Sequence, residues 1–423
     1  MALTPEQMAK IAQKEATLSE ALKRSTSTNY YEGYFFITLN TRDYAPILST
    51  LVGNPDADDD SPDAPRCAYT QLGQRVMYVW QTIPQFHPNT EIIAAEAMPD
   101  HFHGLLHLKA GNRKHLGRIV NGFMIACTHE YWDTIGIKWR EMKKDPNKSD
   151  RDASRDWYDA DHTRSLRGPS LFVRGYNDME AITPEQVRTK LEYIGEQARR
   201  AIIKGSLRDR FHIYRDCTSH GWTMEALRSA LLADSHLAHD QARIEATLSS
   251  ILPRITMQQQ TMQPSMQQQN PSMQQQAMQP TKQSKLLLSF VGLFALLSAE
   301  RKLPLICHRS DAPFFNRQRE AVMSAARSGA VIVSAFISPK ECEIKKQLLI
   351  EQLPVIEVVD NGFSDRYKPT GKSFYACAEN RLVQISPWRY MFSRHSMVTR
   401  EMCLVMNQLV RVIAGVDDGW WKE

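Results

Sequence analysis

His101-Phe102-His103 is the stretch of this 423-residue chain with the most chemical potential. In an extended strand successive side chains alternate faces, so the two histidines share a face while Phe102 points to the other. Two imidazoles about 6.5 to 7 Å apart along a strand are able to close on one metal ion. The other reading is a pair of hydrogen-bonded structural histidines, and the residues alone leave both open. His107 shares the face four residues further on and reads as packing or second-layer support. A second group lies on a helix, where Tyr193 and Gln197 stand at i and i+4 and therefore side by side. Lys190, Arg200 and Lys204 fall near the same stripe. From Arg188 to Arg215 there are eight Lys/Arg against three acids. A phenol, an amide oxygen and a row of cations suit phosphodiester chemistry as nucleophile, metal ligand and phosphate clamp. The alternative is a solvated basic face with Tyr193 in the core. Gly195, inside the helix, suggests either a close approach or a packing need.

Other site patterns fail on inspection. His129-Glu130 has no second histidine at the metalloprotease spacing. Leu105 and Leu106 break the metallo-β-lactamase pattern, and the eight βα units of an amidohydrolase barrel are absent. Pro369-Thr370-Gly371-Lys372-Ser373 has Arg366 where a P-loop needs its first glycine.

These residues need elements to position them. Tyr30–Thr41 is aromatic and β-branched and reads as a strand. Glu91–Met98 and His101–Leu108 read as two strands of a hairpin turning at Pro99-Asp100. His115–Ile135 is helical, and Leu171–Tyr176 reads as a fourth strand. Thr183-Pro184-Glu185-Gln186 is a capping box opening a helix to about Lys204. Asn54–Pro65 and Lys143–Arg167 read as polar loops. The order β-α-β-β-α-β predicts an α+β ferredoxin-like domain with an antiparallel sheet.

Between Met257 and Ser284, 12 of 28 residues are Gln and five are Met. Pro264, Pro271 and Pro280 interrupt any helix there, so the tract reads as a flexible linker. The expected organisation is a domain over 1–250 with its core at about 30–215, a linker over 251–284, and a second domain over 285–423. In the last, Pro304–His308, Ala330–Ile337 and Pro354–Val359 read as strands, and Ser338-Pro339-Lys340-Glu341 as a capping box opening a helix to about Gln352. That order predicts a small α/β Rossmann-like sheet. The N-terminus beside Ser338 either holds an anion or only caps its helix.

Composition bounds the rest. Apolar residues make 42% and charged residues 23%, which argues against wholesale disorder. The net charge of +5 is too small to prove a polyanion partner by itself. Seven scattered cysteines without C-x-x-C argue against a disulfide framework or zinc ribbon and fit a reducing cytoplasm. The start, 1–24, lacks signal-peptide order and reads as a helix capped at Thr4-Pro5-Glu6-Gln7. Leu286–Ala299 is too short to span a bilayer and reads as a buried helix of a soluble protein.

Met98-Pro99-Asp100-His101-Phe102-His103 resembles the M-P-[ND]-H-x-H signature of single-tyrosine HUH transposases, including REP-associated tyrosine transposases. Leu171–Asp178 resembles the segment before their tyrosine helix, and Leu191–Gly205 the helix itself. The resemblance covers roughly Tyr30–Arg215, with the three motifs in order. It implies that His101, His103 and Gln197 ligate Mg²⁺ or Mn²⁺ and that Tyr193 attacks phosphorus, leaving a 5′-phosphotyrosyl link and a free 3′-OH. It also implies single-stranded DNA beside a hairpin as substrate, with Lys190, Arg199, Arg200 and Lys204 toward DNA. A homodimer with shared active sites and a nucleoid-associated cytoplasmic location follow from the same resemblance. Many REP-associated members have Asn-Pro where this chain has Gln197-Ala198, and the segments 43–70 and 143–167 depart in length. Residues 305–390 more weakly resemble the Rossmann-like fold of the DNA-processing protein A family, with Ala335 and Phe336 in place of its glycines. The expected activity is a metal-dependent DNA endonuclease and strand transferase, a transposase or domesticated relative. The alternatives are a non-catalytic DNA-binding or regulatory protein of the same fold and a small-molecule metal hydrolase.

Overall fold

The computed structural model describes residues 28–137, 169–235, 237–251, 285–391 and 398–422. The expected N-terminal helix, the polar segment 143–167 and the Gln/Met tract lie outside the described residues. Those described fall into two compact units, divided between Ser206 and Leu207.

The first unit is α+β. Strand β1 (Gly33–Asn40) is followed by a small hairpin, β2 (Ser49–Val52) and β3 (Arg66–Tyr69), then helix α1 (Gln71–Phe86). Next come β4 (Thr90–Ala97), β5 (His101–Leu108), α2 (Leu116–Thr134), β6 (Asn177–Ala181), α3 (Pro184–Gly195) and α4 (Gln197–Ser206). The main sheet runs β4-β5-β1-β6, with every neighbour pair antiparallel. Leaving the β2–β3 insert aside, the chain order of this sheet and its two helices is β-α-β-β-α-β, the arrangement expected from the sequence.

Alternation along β5 decides what each face does. Phe102, Leu106 and Leu108 are buried against Val76, Trp80 and Ile83 of α1 and Ile119, Val120 and Phe123 of α2. His101 and His103 occupy the opposite face, over which α3 lies. Thr70 caps α1 by accepting from the Gly73 amide, and Thr183 and Gln186 complete the expected capping box of α3.

Two boundaries differ from the sequence reading. Leu171 and Phe172 are buried core residues that extend the sheet only as an isolated bridge from Phe172 to Thr41. Gly175, at φ +81°, ends that run, and the fourth strand is the more polar β6. Apolar content there reported burial in the core, not strand pairing. The helix expected to run to Lys204 breaks at Glu196 (φ −86°, ψ −1°), so Tyr193 and Gln197 stand on consecutive short helices. Gly195 ends α3, and beyond its chain neighbours and its own helix backbone no described atom lies within 4 Å of where its Cβ would sit.

The second unit starts earlier than residue 285. Strand β7 (Ile213–Thr223) pairs with β8 (Lys285–Gly292), so β7 and helices α5 (Met224–Leu232) and α6 (Gln241–Ile251) belong here and not with the first domain. It continues through β9 (Lys302–Pro304), α7 (Phe315–Arg327), β10 (Val331–Ser334), α8 (Pro339–Ile350), β11 (Val355–Val358), α9 (Lys372–Ala378), β12 (Leu382–Ser386) and α10 (Arg400–Ala414). The six-stranded sheet is mixed, in the order β7-β8-β12-β11-β10-β9; β9 to β12 are parallel, β7 and β8 antiparallel. The parallel strands follow one another without reversal, so the order lacks the switch point of a doubly wound sheet.

Leu286–Ala299 is not a helix. It forms β8 and then a short 3₁₀ turn, Phe294–Ser298. A short, predominantly apolar run has no clear period to separate buried strand from buried helix. Gly292, at φ +103°, would place a Cβ 2.2 Å from the Leu382 carbonyl oxygen, so only glycine ends the strand there.

Candidate active site

The β4–β5 hairpin is pinned at its tip. Thr41 and Leu48 amides donate to the Asp100 and Pro99 carbonyls, and Thr41 Oγ1 also donates to Asp100 O. This holds the start of β5 beside the end of β1. His103 is 4% exposed, and its Nδ1 is hydrogen-bonded to Thr38 Oγ1 at 3.0 Å. His101 Nδ1 lies 2.7 Å from Asp100 Oδ1. The two rings are 4.7 Å apart and nearly perpendicular. His107 instead stacks on Tyr34 at 4.0 Å and faces Glu91, so it packs the sheet away from the pair.

Helix α3 brings Tyr193 to the same place. Its ring centre lies 5.5 Å from that of His103 and 5.7 Å from that of Phe36. Gln197 is fully buried and donates from Nε2 to the Tyr193 carbonyl at 3.0 Å, which holds its amide against the tyrosine despite the helix break. Burial pushes the Tyr193 phenol above its ordinary value, while a hydrogen bond with Gln197 and the Arg200 charge oppose the shift. The imidazoles and phenol that the sequence singled out therefore share one face of one sheet, with the Gln197 amide held against the tyrosine.

The expected phosphate-facing cations are placed differently. Arg199 donates to the Pro55 and Ala57 carbonyls and pairs with Asp59 at 2.7 Å, fastening the 54–60 loop. Arg200 is 5% exposed, pairs with Glu196, and sits 5.7 Å over the Tyr193 ring. Neither presents an outward guanidinium, because the second helix packs its basic side onto the β2–β3 insert and the tyrosine. Lys190 lies 5.0 Å over Phe36, and burial lowers its pKa. Lys204 is half-buried near the end of α4. In the second unit, the helix N-terminus at Ser338 is filled from within. Glu341 accepts from the Ile337, Ser338 and Cys307 amides, so the cap reading holds and the anion reading does not.

Thr38 and Glu96 escaped sequence reasoning, and Asp100 entered it only as a turn and signature residue without a role. Thr38 and Asp100 hold the histidine rings, and Glu96 stands opposite His103 across β4 and β5 on the same face. Hairpin register was the only available signal for Glu96. Thr38 lies 65 residues from its partner.

The donor chemistry fits a divalent cation. In the tautomer that donates from Nδ1 of each ring to its neighbouring oxygen, Nε2 carries the lone pair, the arrangement usual for metal-binding imidazoles. Gln197 adds an amide oxygen. Among the described residues no three His, Cys, Asp or Glu side chains converge, so any such site depends on the amide and on water for its remaining positions. No helix among the described residues is long and apolar enough to cross a membrane.

No protein-family model and no curated protein matches the chain. Among solved structures, it is similar to a REP-associated tyrosine transposase bound to a REP hairpin, at 13% identity over 41% of this chain and 70% of that one, with a TM-score of 0.23. It is also similar to a candidate transposase from Deinococcus radiodurans R1, at 14% identity over 41% of this chain and 97% of that one, with a TM-score of 0.20. Scores at this level do not establish a common fold.

Proposed function

We propose that the chain is a metal-dependent, single-stranded DNA nicking and rejoining enzyme of the single-tyrosine HUH kind, acting beside a hairpin. The observation supporting this reading is the approach of Tyr193 to the His101/His103 pair, two segments some ninety residues apart in sequence meeting on one sheet face. His101 Nε2, His103 Nε2 and the Gln197 amide oxygen would hold Mg²⁺ or Mn²⁺, whose charge when bound neutralises the scissile phosphate.

The chain's own groups carry the rest. Tyr193 attacks phosphorus through its phenolic oxygen; the P–O3′ bond breaks, and the 3′ oxygen leaves as a hydroxyl. The phosphotyrosyl ester keeps the bond energy, so the reverse attack rejoins a strand without a nucleotide cofactor. Burial keeps the resting phenol protonated near neutral pH, and the Arg200 cation beside the ring stabilises the phenolate as it forms. Arg200 thus acts on the nucleophile rather than as an outward DNA clamp.

The test is a covalent adduct. Labelled, hairpin-flanked single strands incubated with the full chain and Mn²⁺ should give an SDS-resistant protein–DNA species, and Tyr193→Phe should abolish it while DNA binding persists. Adducts surviving in Tyr193→Phe would move the nucleophile elsewhere, with Tyr176, buried before β6, and Tyr158 next. Binding without any adduct in the parent would favour the non-catalytic reading.

A further inference from the structure

Glu96 has no role in the mechanism just described, yet it faces the same site. The β4–β5 register sets it directly opposite His103, and directly opposed residues of an antiparallel pair project from the same face. Its carboxylate is held, since Tyr69 OH donates to Oε1 at 2.6 Å from the neighbouring insert strand β3. Burial and the Glu96 charge together push the Cys67 thiol up to about 12, and the same two influences raise the Tyr69 phenol. The influence of the carboxylate therefore reaches both neighbours.

The donor set of the site makes such a charge useful. Two neutral imidazoles and an amide bring no negative charge to a divalent cation, and Lys190 and Arg200 both lie against the rings that line the site. Asp100 is engaged by His101, and Glu196 by Arg200. Hard divalent cations favour oxygen and retain several waters, unlike Zn²⁺, which imidazole satisfies well. No three acidic, thiol or imidazole side chains converge among the described residues, so Glu96 is set back from direct coordination with both histidines.

We propose that Glu96 is a positioning residue that accepts a hydrogen bond from water on the bound cation, and thereby selects Mg²⁺ or Mn²⁺ over softer metals at the His101/His103 site. This rests on the metal reading above. Glu96→Gln is the fitting perturbation, because the amide oxygen still accepts from Tyr69 while the charge is lost.

Binding is measured in the Tyr193→Phe background, so that no cleavage intervenes, by titrating Mn²⁺ and reading free ion by paramagnetic resonance, with Zn²⁺ titrated in parallel. Glu96→Gln should weaken Mn²⁺ at least about tenfold, as loss of outer-layer partners does. Zn²⁺ binding and the metal-free melting temperature should stay unchanged, and Glu96→Asp should recover part of the Mn²⁺ affinity. Unaltered Mn²⁺ binding in Glu96→Gln overturns the proposal, as does an equal loss of Mn²⁺ and Zn²⁺, which marks a merely structural role. A parent that binds no Mn²⁺, or binds it equally well after His101→Ala, sinks the metal reading itself and this inference with it.

Discussion

Gly104, next to His103, is the residue through which the core controls the site. A Cβ there would lie 2.4 Å from Trp80 Cζ2 and 2.6 Å from Cη2. Carbon atoms pack at about 3.5–4.0 Å, so Gly104→Ala needs the indole to retreat by roughly 1 Å. Trp80 has nowhere to go. It is fully buried, with Phe102 and Phe123 each 5.0 Å from its ring centre. Overpacking of this kind costs about 1–3 kcal/mol, and an indole held between two phenyl rings belongs at the upper end. The sign is diagnostic, since Gly→Ala at an unstrained position without a clash stabilises by about 0.4–1 kcal/mol through the unfolded chain. At about 3 kcal/mol, the melting temperature of a unit this size should fall by roughly 6 to 12 °C. Denaturant unfolding followed by tryptophan fluorescence reads the change directly, and adduct yield should fall with it, because β5 carries His103 against Tyr193. Trp80→Phe removes the clashing atoms, so the double mutant should recover at least about 1 kcal/mol relative to the sum of the singles. A Gly104→Ala protein as stable as the parent would refute the account.

The remaining predictions concern the rings and the C-terminal segment. Thr38→Val keeps the shape of the side chain but removes the oxygen on His103 Nδ1, and Mn²⁺ affinity should drop by about 10–100-fold with little change in stability; unaltered titration would show that Thr38 does not orient the ring. In the second unit, His308 Nε2 and Arg411 both bond to Asp418 Oδ2, at 2.8 and 2.7 Å. Burial alone would raise the Asp418 pKa, but these bonds outweigh it and hold it at about 2. The bond from Asp418 raises His308 above its ordinary 6.5, against burial. His308 therefore contributes stability that is complete below about pH 6.5 and fades as pH climbs through its raised pKa. Asp418 contributes stability that is complete above about pH 4 and fades as pH falls toward 2. The drop from 3.8 to about 2 corresponds to about 2 kcal/mol, reduced to about 1 for the half-exposed His308 part. Asp418→Asn should flatten both limbs of the urea midpoint against pH; a profile superposing on the parent's would rule out a stability contribution from these bonds.

Local pattern determined a good deal of this protein. Period-two alternation set His101 and His103 on one face, Pro99-Asp100 marked their hairpin, and the capping boxes at Thr183 and Ser338 open helices where their spacing requires. Such features depend on residues within a few positions of each other, so a linear reading reaches them. Tertiary structure decided what depends on distant partners. Lys285–Gly292 became a strand because β7 and β12 flank it, and residues 213–251 joined the second unit through that pairing. Arg199 and Arg200 turned inward because the insert and Tyr193 offered partners that water-facing stripes on a helical wheel do not reveal. Thr38, Glu96 and Trp80 reach β5 from three other segments, and only strand register and core packing bring them beside its histidines and glycine.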